Sequence, residues 1–300
     1  FMVQYLWLMG DAPTEQMSEA LASENYHKFN KWVYATPFFG ALLADFFFGK
    51  YRVIIWLSIV YCVGHACLAL MGVSGSAGWW LFAGLALICV GSGGIKPCVS
   101  AHVGDQFGKS NQHLLTKVFN WFYFSINLGA FLSMLATPWI LKWHGPHLAF
   151  GIPGVLMAIA TLSFWLGRKK FIHIQPDSKK FKRELCSKEG LGVILRLLPL
   201  YFFVAFFWAL FDQTGSSWIF QSQDMDRHFV IDWLPSQIQS INSVLILTLV
   251  PLFTFFVYPT LGRFIKLTPL RKIGVGLFIT VFAFSIIALI QVSISKGNTP

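Results

Sequence analysis

The feature that most constrains this chain is the recurrence of apolar runs about twenty residues long. A helix needs roughly 20 consecutive apolar residues to cross the hydrocarbon core of a bilayer. Windows of that kind follow one another along nearly the whole sequence, which predicts an all-α polytopic membrane protein. A transmembrane barrel would instead show ten-residue segments of alternating polarity, and these runs do not alternate. Charged residues make up 12% of the 300 positions, half the roughly 25% of a soluble domain.

The opening run, "FMVQYLWLMG", has no basic flank and no small-residue cleavage site, so it reads as the tail of a first helix ending near Gly10 rather than a signal peptide. Further helices are predicted at 29–48, 52–72, 79–101, 118–137, 148–167, 194–220, 236–258 and 273–292. They divide into an N-terminal bundle over 1–167 (tail of helix one to helix six), a basic linker over 168–190, and a partial second bundle over 191–300 (helices seven to nine).

Basic residues orient the chain. Alternate loops place Lys50, Arg52, Lys109, Lys117, the 168–188 cluster, Arg263, Lys266, Arg271 and Lys272 on one side, against Lys28, Lys31, Lys142, Arg227 and Lys296 on the other. The richer side is expected to be cytoplasmic, the linker with it. The linker cluster reads as a solvated, topology-setting loop, with a lipid-headgroup site as the alternative. The net charge of +10 is spread over separate loops rather than one stripe, so nucleic acid is not an expected partner. Cys62, Cys67, Cys89 and Cys98 lie in apolar runs and Cys186 in the basic loop, without metal-ligand spacing.

Ionisable side chains inside apolar segments are costly and point to function. Lys96 stands nine residues before Asp105, roughly 13 Å inside the helix end. Its stem of about 6 Å does not comfortably reach the interface, so a water-filled cavity is preferred to snorkelling. Gly91, Gly93 and Gly94 beside it either let helices approach closely or leave room for a solute. Asp212, in "FFWALFDQTGSSW", is a carboxylate poised to take up and release a proton, with Trp208 one turn earlier to wall the site and Gln213, Ser216 and Ser217 adding hydrogen-bond capacity. Asn127 and Asn242 interrupt apolar helices and should face a partner helix or a cavity. His65 reads as a packing residue. No Ser/His pair, metal cluster or G-x-x-x-x-G-K-S/T motif is present, which argues against an enzyme or an ATP-driven pump.

Three stretches resemble the proton-dependent oligopeptide transporter (POT/PTR) family of the major facilitator superfamily. "GALLADFFFGKYR" resembles the superfamily's loop motif between helices two and three, a glycine followed by Leu-Ala-Asp and then Gly-Lys/Arg. "FNWFYFSINLGAFLS" is similar to the F-Y-x-x-I-N-x-G signature of helix five, and "GSGGIKPCVSAHVGDQF" to the G-x-G-x-x-K-P pattern of helix four. "FWALFDQTGSSW" resembles the helix-seven pattern W-x-x-x-E-Q-x-G-S/T, with Asp212 in place of the glutamate.

The resemblance implies a partial major facilitator fold, from the tail of helix one through helix nine. The family's helix-one E-x-x-E-R motif is expected before Phe1, and its helix-ten glutamate beyond Pro300. It implies proton-coupled uptake of di- and tripeptides by alternating access, with protons as coupling ion and no cofactor. Tyr34, Lys96, Asn127, Trp208 and Asn242 would bind substrate, and Lys96 and Asp212 would couple protons. Gly40, Asp45, Gly49, Lys50 and Arg52 would serve conformational gating. Expected surroundings are a plasma membrane (the inner membrane in a bacterium), with a monomeric functional unit in the lipid bilayer. Two alternatives stay open: a symporter of the same fold for nitrate or a modified peptide, and a non-transporting membrane fragment or scaffold.

Overall fold

The computed structural model describes residues 17–73, 75–178, 183, 187–229, 231–238 and 240–297. The predicted tail of helix one, ending near Gly10, lies outside the described residues, as do Lys179, Lys180, Lys182 and Cys186 of the linker.

Every predicted helix from the second onward is present, but several have other limits. The first described helix, α1, is Glu19–Leu43 and starts ten residues before the predicted position 29. Ser18 caps it: its hydroxyl accepts the Leu21 amide at 3.2 Å, and Glu19 complements the positive end of the helix. Glu24 and Lys28 then pair one turn apart at 2.6 Å. Counting apolar residues finds only the lipid-immersed part of such a helix and overlooks a capped, charged extension.

A π-helical turn, Ala44–Phe48, links α1 to α2 (Lys50–Ala69). Gly49 between them has φ 78° and ψ 152°, a conformation open to glycine and strained for other residues. The third helix, α3, is Ala77–Asp105 and carries Pro97 without breaking. The predicted fifth and sixth helices are two helices that meet at Gly145, whose φ of 79° and ψ of 177° are not helical; together they span Leu115–Leu166 and are labelled α4. The next helix, α5 (Lys188–Phe211), begins six residues before the predicted 194. Predicted helix seven is not continuous, because α5 gives way to a 3-10 turn, Asp212–Gly215, and a short α6, Ser217–Gln221. A two-residue antiparallel ladder follows, β1 (His228–Phe229) with β2 (Ile231–Asp232).

Predicted helix eight is likewise divided. It comprises α7 (Ser240–Leu252), a π-helical turn Phe253–Val257, and α8 (Tyr258–Gly262). Pro251 lies in the last turn of α7 and lacks the amide that a regular helix would bond there. The last helix, α9, is Pro269–Ser295. Six helices among the described residues are long and apolar enough to cross a membrane.

The chain falls into two compact units, Phe1–Phe119 with Trp139–Ile194, and Asn120–Pro138 with Leu195–Pro300. In the first, Leu68, Met71, Ala77, Leu81 and Ile88 form one buried cluster, with Tyr61, Leu85 and Phe150 packed on it. Ala44, Val53, Ile54 and Cys98 form another, covered by Leu57, Val99 and Phe164. In the second, Gln237 donates to the Leu135 carbonyl at 2.9 Å and Trp218 packs edge-on against Phe284, with 5.7 Å between ring centroids.

Candidate functional site

The glycine-rich stretch of α3 is where the helices of the first unit come closest. A Cβ at Gly40 would stand 2.5 Å from the Gly93 carbonyl oxygen and from Gly94 Cα, and one at Gly93 would stand 2.5 Å from Thr36 Cβ. A Cβ at Gly94 would collide with Leu57. Of the two sequence readings, the structure gives close helix approach: the space beside these glycines is filled by α1 and α2, not left for a solute. Gly40 thus has a packing reason to be glycine. The crossing is tied polar to polar, since Thr36 Oγ1 donates to the Cys89 carbonyl at 3.0 Å.

Lys96 lies just beyond this crossing and is itself exposed, between the half-buried Ile95 and Pro97. Its ammonium stands over the Tyr34 ring, 5.4 Å from the centroid, within the range of a cation–π contact. The structure therefore brings together the two substrate-contact candidates of the first unit. Among the described residues Lys96 has no carboxylate partner. A cleft of about 390 Å³ in the same unit runs between α1 and α3, past Lys28, Trp32, Thr36, Phe82 and Cys89, and Lys96 does not line it.

Apart from Gly40, the gating candidates cluster near the C-terminal end of α3. Lys50 Nζ bonds Asp105 Oδ2 at 2.7 Å, with side chains 24% and 16% exposed. Lys50 is thus paired across 55 residues rather than with nearby Asp45. Asp45 is half-buried on the π-helical turn and Arg52 is exposed. Gly49 closes the turn through its amide, which bonds the Ala44 carbonyl at 2.9 Å.

Sequence reasoning used Asp105 only as a marker of the helix end and did not single out Gln106. The Gln106 amide joins both backbone atoms of Ile172, donating to its carbonyl at 3.1 Å and accepting its N–H at 2.8 Å. This lays the start of the linker across the ends of α2 and α3. Tyr51 meets His173 edge-on at 4.6 Å and stacks on Phe164 at 5.3 Å, while His102 meets Phe171 edge-on at 5.4 Å. The only available signal was chemical: a polar run, "HVGDQF", ending an otherwise apolar helix.

The remaining candidates belong to the second unit. Asn127 is buried, 8% exposed, and its amide donates to the Tyr123 carbonyl of its own helix at 2.9 Å. Trp208 is partly exposed and packs edge-on against Phe207 and Phe211, with centroids 5.5 Å away in both cases. Asp212 is half-buried and opens the 3-10 turn at the end of α5. Gln213 Oε1 accepts from Ser217 Oγ at 2.9 Å and Ser216 Oγ at 3.4 Å, so these groups bond one another. Asn242 is exposed, whereas Ser240 and Ser243 of α7 are buried and Ser243 Oγ contacts Met134 Sδ at 3.8 Å. At about 100° per residue, Asn242 points away from those two serines.

The described residues hold no group of three or more His, Cys, Asp or Glu able to bind a metal ion. Chemically, the first unit offers an exposed ammonium beside an aromatic ring, and the second offers a half-buried carboxylate at a helix break together with amides.

Comparison with known proteins identifies the family. The profile of the POT family (PTR2) matches residues 51–188 and 184–299. Peptide transporter 3 of Caenorhabditis elegans is 34% identical, over 94% of this chain and 47% of its own length. Solute carrier family 15 member 1 of Oryctolagus cuniculus is 34% identical, over 92% of this chain and 47% of its own length. The in meso crystal structure of the POT family transporter PepTSo superposes with a TM-score of 0.83 at 34% identity, over 99% of this chain and 73% of that one. The chain spans about half the length of the curated relatives it matches.

Proposed function

The chain belongs to the POT family, and on that premise we propose that it acts in proton-coupled uptake of di- and tripeptides, as a secondary active transporter working by alternating access. The observation that carries this reading is Lys96: an exposed ammonium within an apolar helix, beside Tyr34 and without a carboxylate partner among the described residues. A peptide brings a carboxylate to such a group and an ammonium to amide oxygens, while its variable side chains need an adaptable aromatic wall. Lys96 and Tyr34 serve the carboxylate end, Asn127 and Asn242 the amino end, and Trp208 the wall.

Asp212 and Lys96 carry the proton coupling. Gly40, Asp45, Gly49, Lys50 and Arg52 serve the change of state, with Asp105 as the counter-ion of Lys50. The functional unit is a monomer in the plasma membrane with its basic linker in the cytoplasm, performing transport rather than catalysis and using protons in place of a cofactor.

The energetics suffice without ATP. One proton entering down about 100 mV supplies about 2.3 kcal/mol, and one pH unit adds about 1.36 kcal/mol. Together they sustain an accumulation of several hundred-fold per coupled proton. The test is Lys96→Ala in proteoliposomes made with the full-length protein, measuring both uphill uptake and counterflow exchange of a labelled dipeptide. The variant is expected to lose uphill uptake and keep most exchange; undiminished uphill uptake would overturn the role of Lys96. An excess of unlabelled dipeptide, but not of nitrate, should block the labelled substrate.

A further inference from the structure

The end of α8 and the start of α9 combine two properties that the transport reading does not use. Asp232 is the last acidic residue of the sequence, and the remainder carries Arg263, Lys266, Arg271 and Lys272 within ten positions. The six residues 263–268 between α8 and α9 join two apolar segments of 23 and 26 residues, each long enough to span a bilayer. The connection therefore lies at headgroup level.

Its geometry orders the cations. Arg271 Nη1 donates to the Lys266 carbonyl at 2.9 Å, folding the guanidinium back over the loop. Thr268 Oγ1 accepts the Arg271 amide at 3.4 Å. Lys272 Nζ stands 3.7 Å from the centroid of the Tyr258 ring on α8. All four cationic side chains are exposed. Phe264, 80% exposed, and Ile265, 51% exposed, project from the same loop between Arg263 and Lys266. A loop that only set topology would need the charge, but not large apolar side chains interleaved with it.

We propose that residues 263–272 form a docking surface for acidic phospholipids, in which Arg263, Lys266, Arg271 and Lys272 meet the headgroup phosphates and Phe264 and Ile265 lie beside the acyl chains. Basic groups immediately outside a membrane helix attract anionic headgroups, and exposed aromatic and aliphatic side chains between them add apolar burial at the interface. Arg271 retains further guanidinium donors beyond the one given to Lys266, enough for paired contacts to a phosphate. The surface involves neither the proton-coupling groups nor the peptide site, so it stands or falls separately from the proposed transport.

The experiment is native mass spectrometry of the full-length protein, released from detergent containing equal amounts of phosphatidylglycerol and phosphatidylcholine. Wild type is expected to retain phosphatidylglycerol in strong preference. Arg263→Gln with Lys266→Gln should lower that retention by about tenfold or more, at roughly fivefold per charge. Phe264→Ser should lower it with the charge intact. Lys296→Gln, which removes a cation at the opposite end of α9, should leave it unchanged. Equal retention of both lipids by wild type, or an equal loss in Lys296→Gln, overturns the proposal. Should the double variant not fold, wild type at about 0.5 M salt decides: phosphatidylglycerol must be released as the charges are screened, and unaltered retention refutes the surface.

Discussion

Gly40→Ala tests whether the crossing of α1 and α3 is held by backbone contact. The new methyl carbon would stand 2.5 Å from the Gly93 carbonyl oxygen and from Gly94 Cα. Ordinary contact begins at 3.4 Å, so the helices must part by about 0.9 Å or distort locally. Neither obstacle is a side chain that can rotate away. Overpacking of this kind costs about 1–3 kcal/mol, offset by about 0.5–1 kcal/mol from replacing a helical glycine with alanine. The net loss, up to about 2 kcal/mol, lowers the melting temperature by a few degrees, on the scale of about 2–4 °C per kcal/mol for a large domain. Gly274→Ala on α9 is the control: nothing lies within 4 Å of its Cβ position, so only the stabilising contribution of about 0.5–1 kcal/mol applies. Thermal unfolding of the two variants in one detergent, followed by intrinsic fluorescence, should show shifts of opposite sign. A Gly40→Ala variant as stable as wild type, or stabilised like Gly274→Ala, would refute the close-packed crossing.

The ion pair at the end of α3 makes a second prediction. Lys50→Ala or Asp105→Asn is expected to lose about 1.5–3 kcal/mol, the range for a charge-assisted hydrogen bond shielded from solvent. The exchanged pair Lys50→Asp with Asp105→Lys should recover part of that loss in the same melting assay, and a swap no better than the single variants would contradict a direct pairing. Gln106→Ala removes both bonds to Ile172. Amide exchange over residues 171–176 is expected to quicken by about tenfold, whereas unchanged protection by hydrogen-exchange mass spectrometry would show that the aromatic contacts alone hold the linker.

The helices were legible because burial in lipid demands long apolar runs; apart from the sixth, which follows the fifth across the kink at Gly145, each fully contained prediction begins within ten residues of the observed helix, α1 at the full ten. Limits were misjudged where a local device overrides hydropathy: the Ser18 cap and charged first turns of α1, the 3-10 turn at Asp212, and the π-helical turn after Pro251. The glycines of "GSGGIK" were ambiguous because a missing side chain fits a cavity or a close crossing equally well. Only the neighbouring helix decides, and here Thr36, Gly40 and Leu57 occupy the space. Lys96 stood out by its cost in an apolar segment, and its approach to Tyr34 joins helices 62 positions apart in the sequence. Asp105 and Gln106 went unnoticed because polar residues at a helix end are ordinary; their partners, Lys50 and Ile172, lie 55 and 66 residues away. Such pairings arise from tertiary packing and leave no local periodicity.

The most direct test of proton-coupled peptide uptake is the accumulation ratio of a labelled dipeptide in proteoliposomes of the full-length protein, measured at fixed membrane potential while the pH gradient is varied. The ratio is predicted to rise about tenfold per pH unit for each coupled proton, and to fall to unity when a protonophore collapses both gradients. A ratio that does not respond to the pH gradient, or that survives the protonophore, would contradict it.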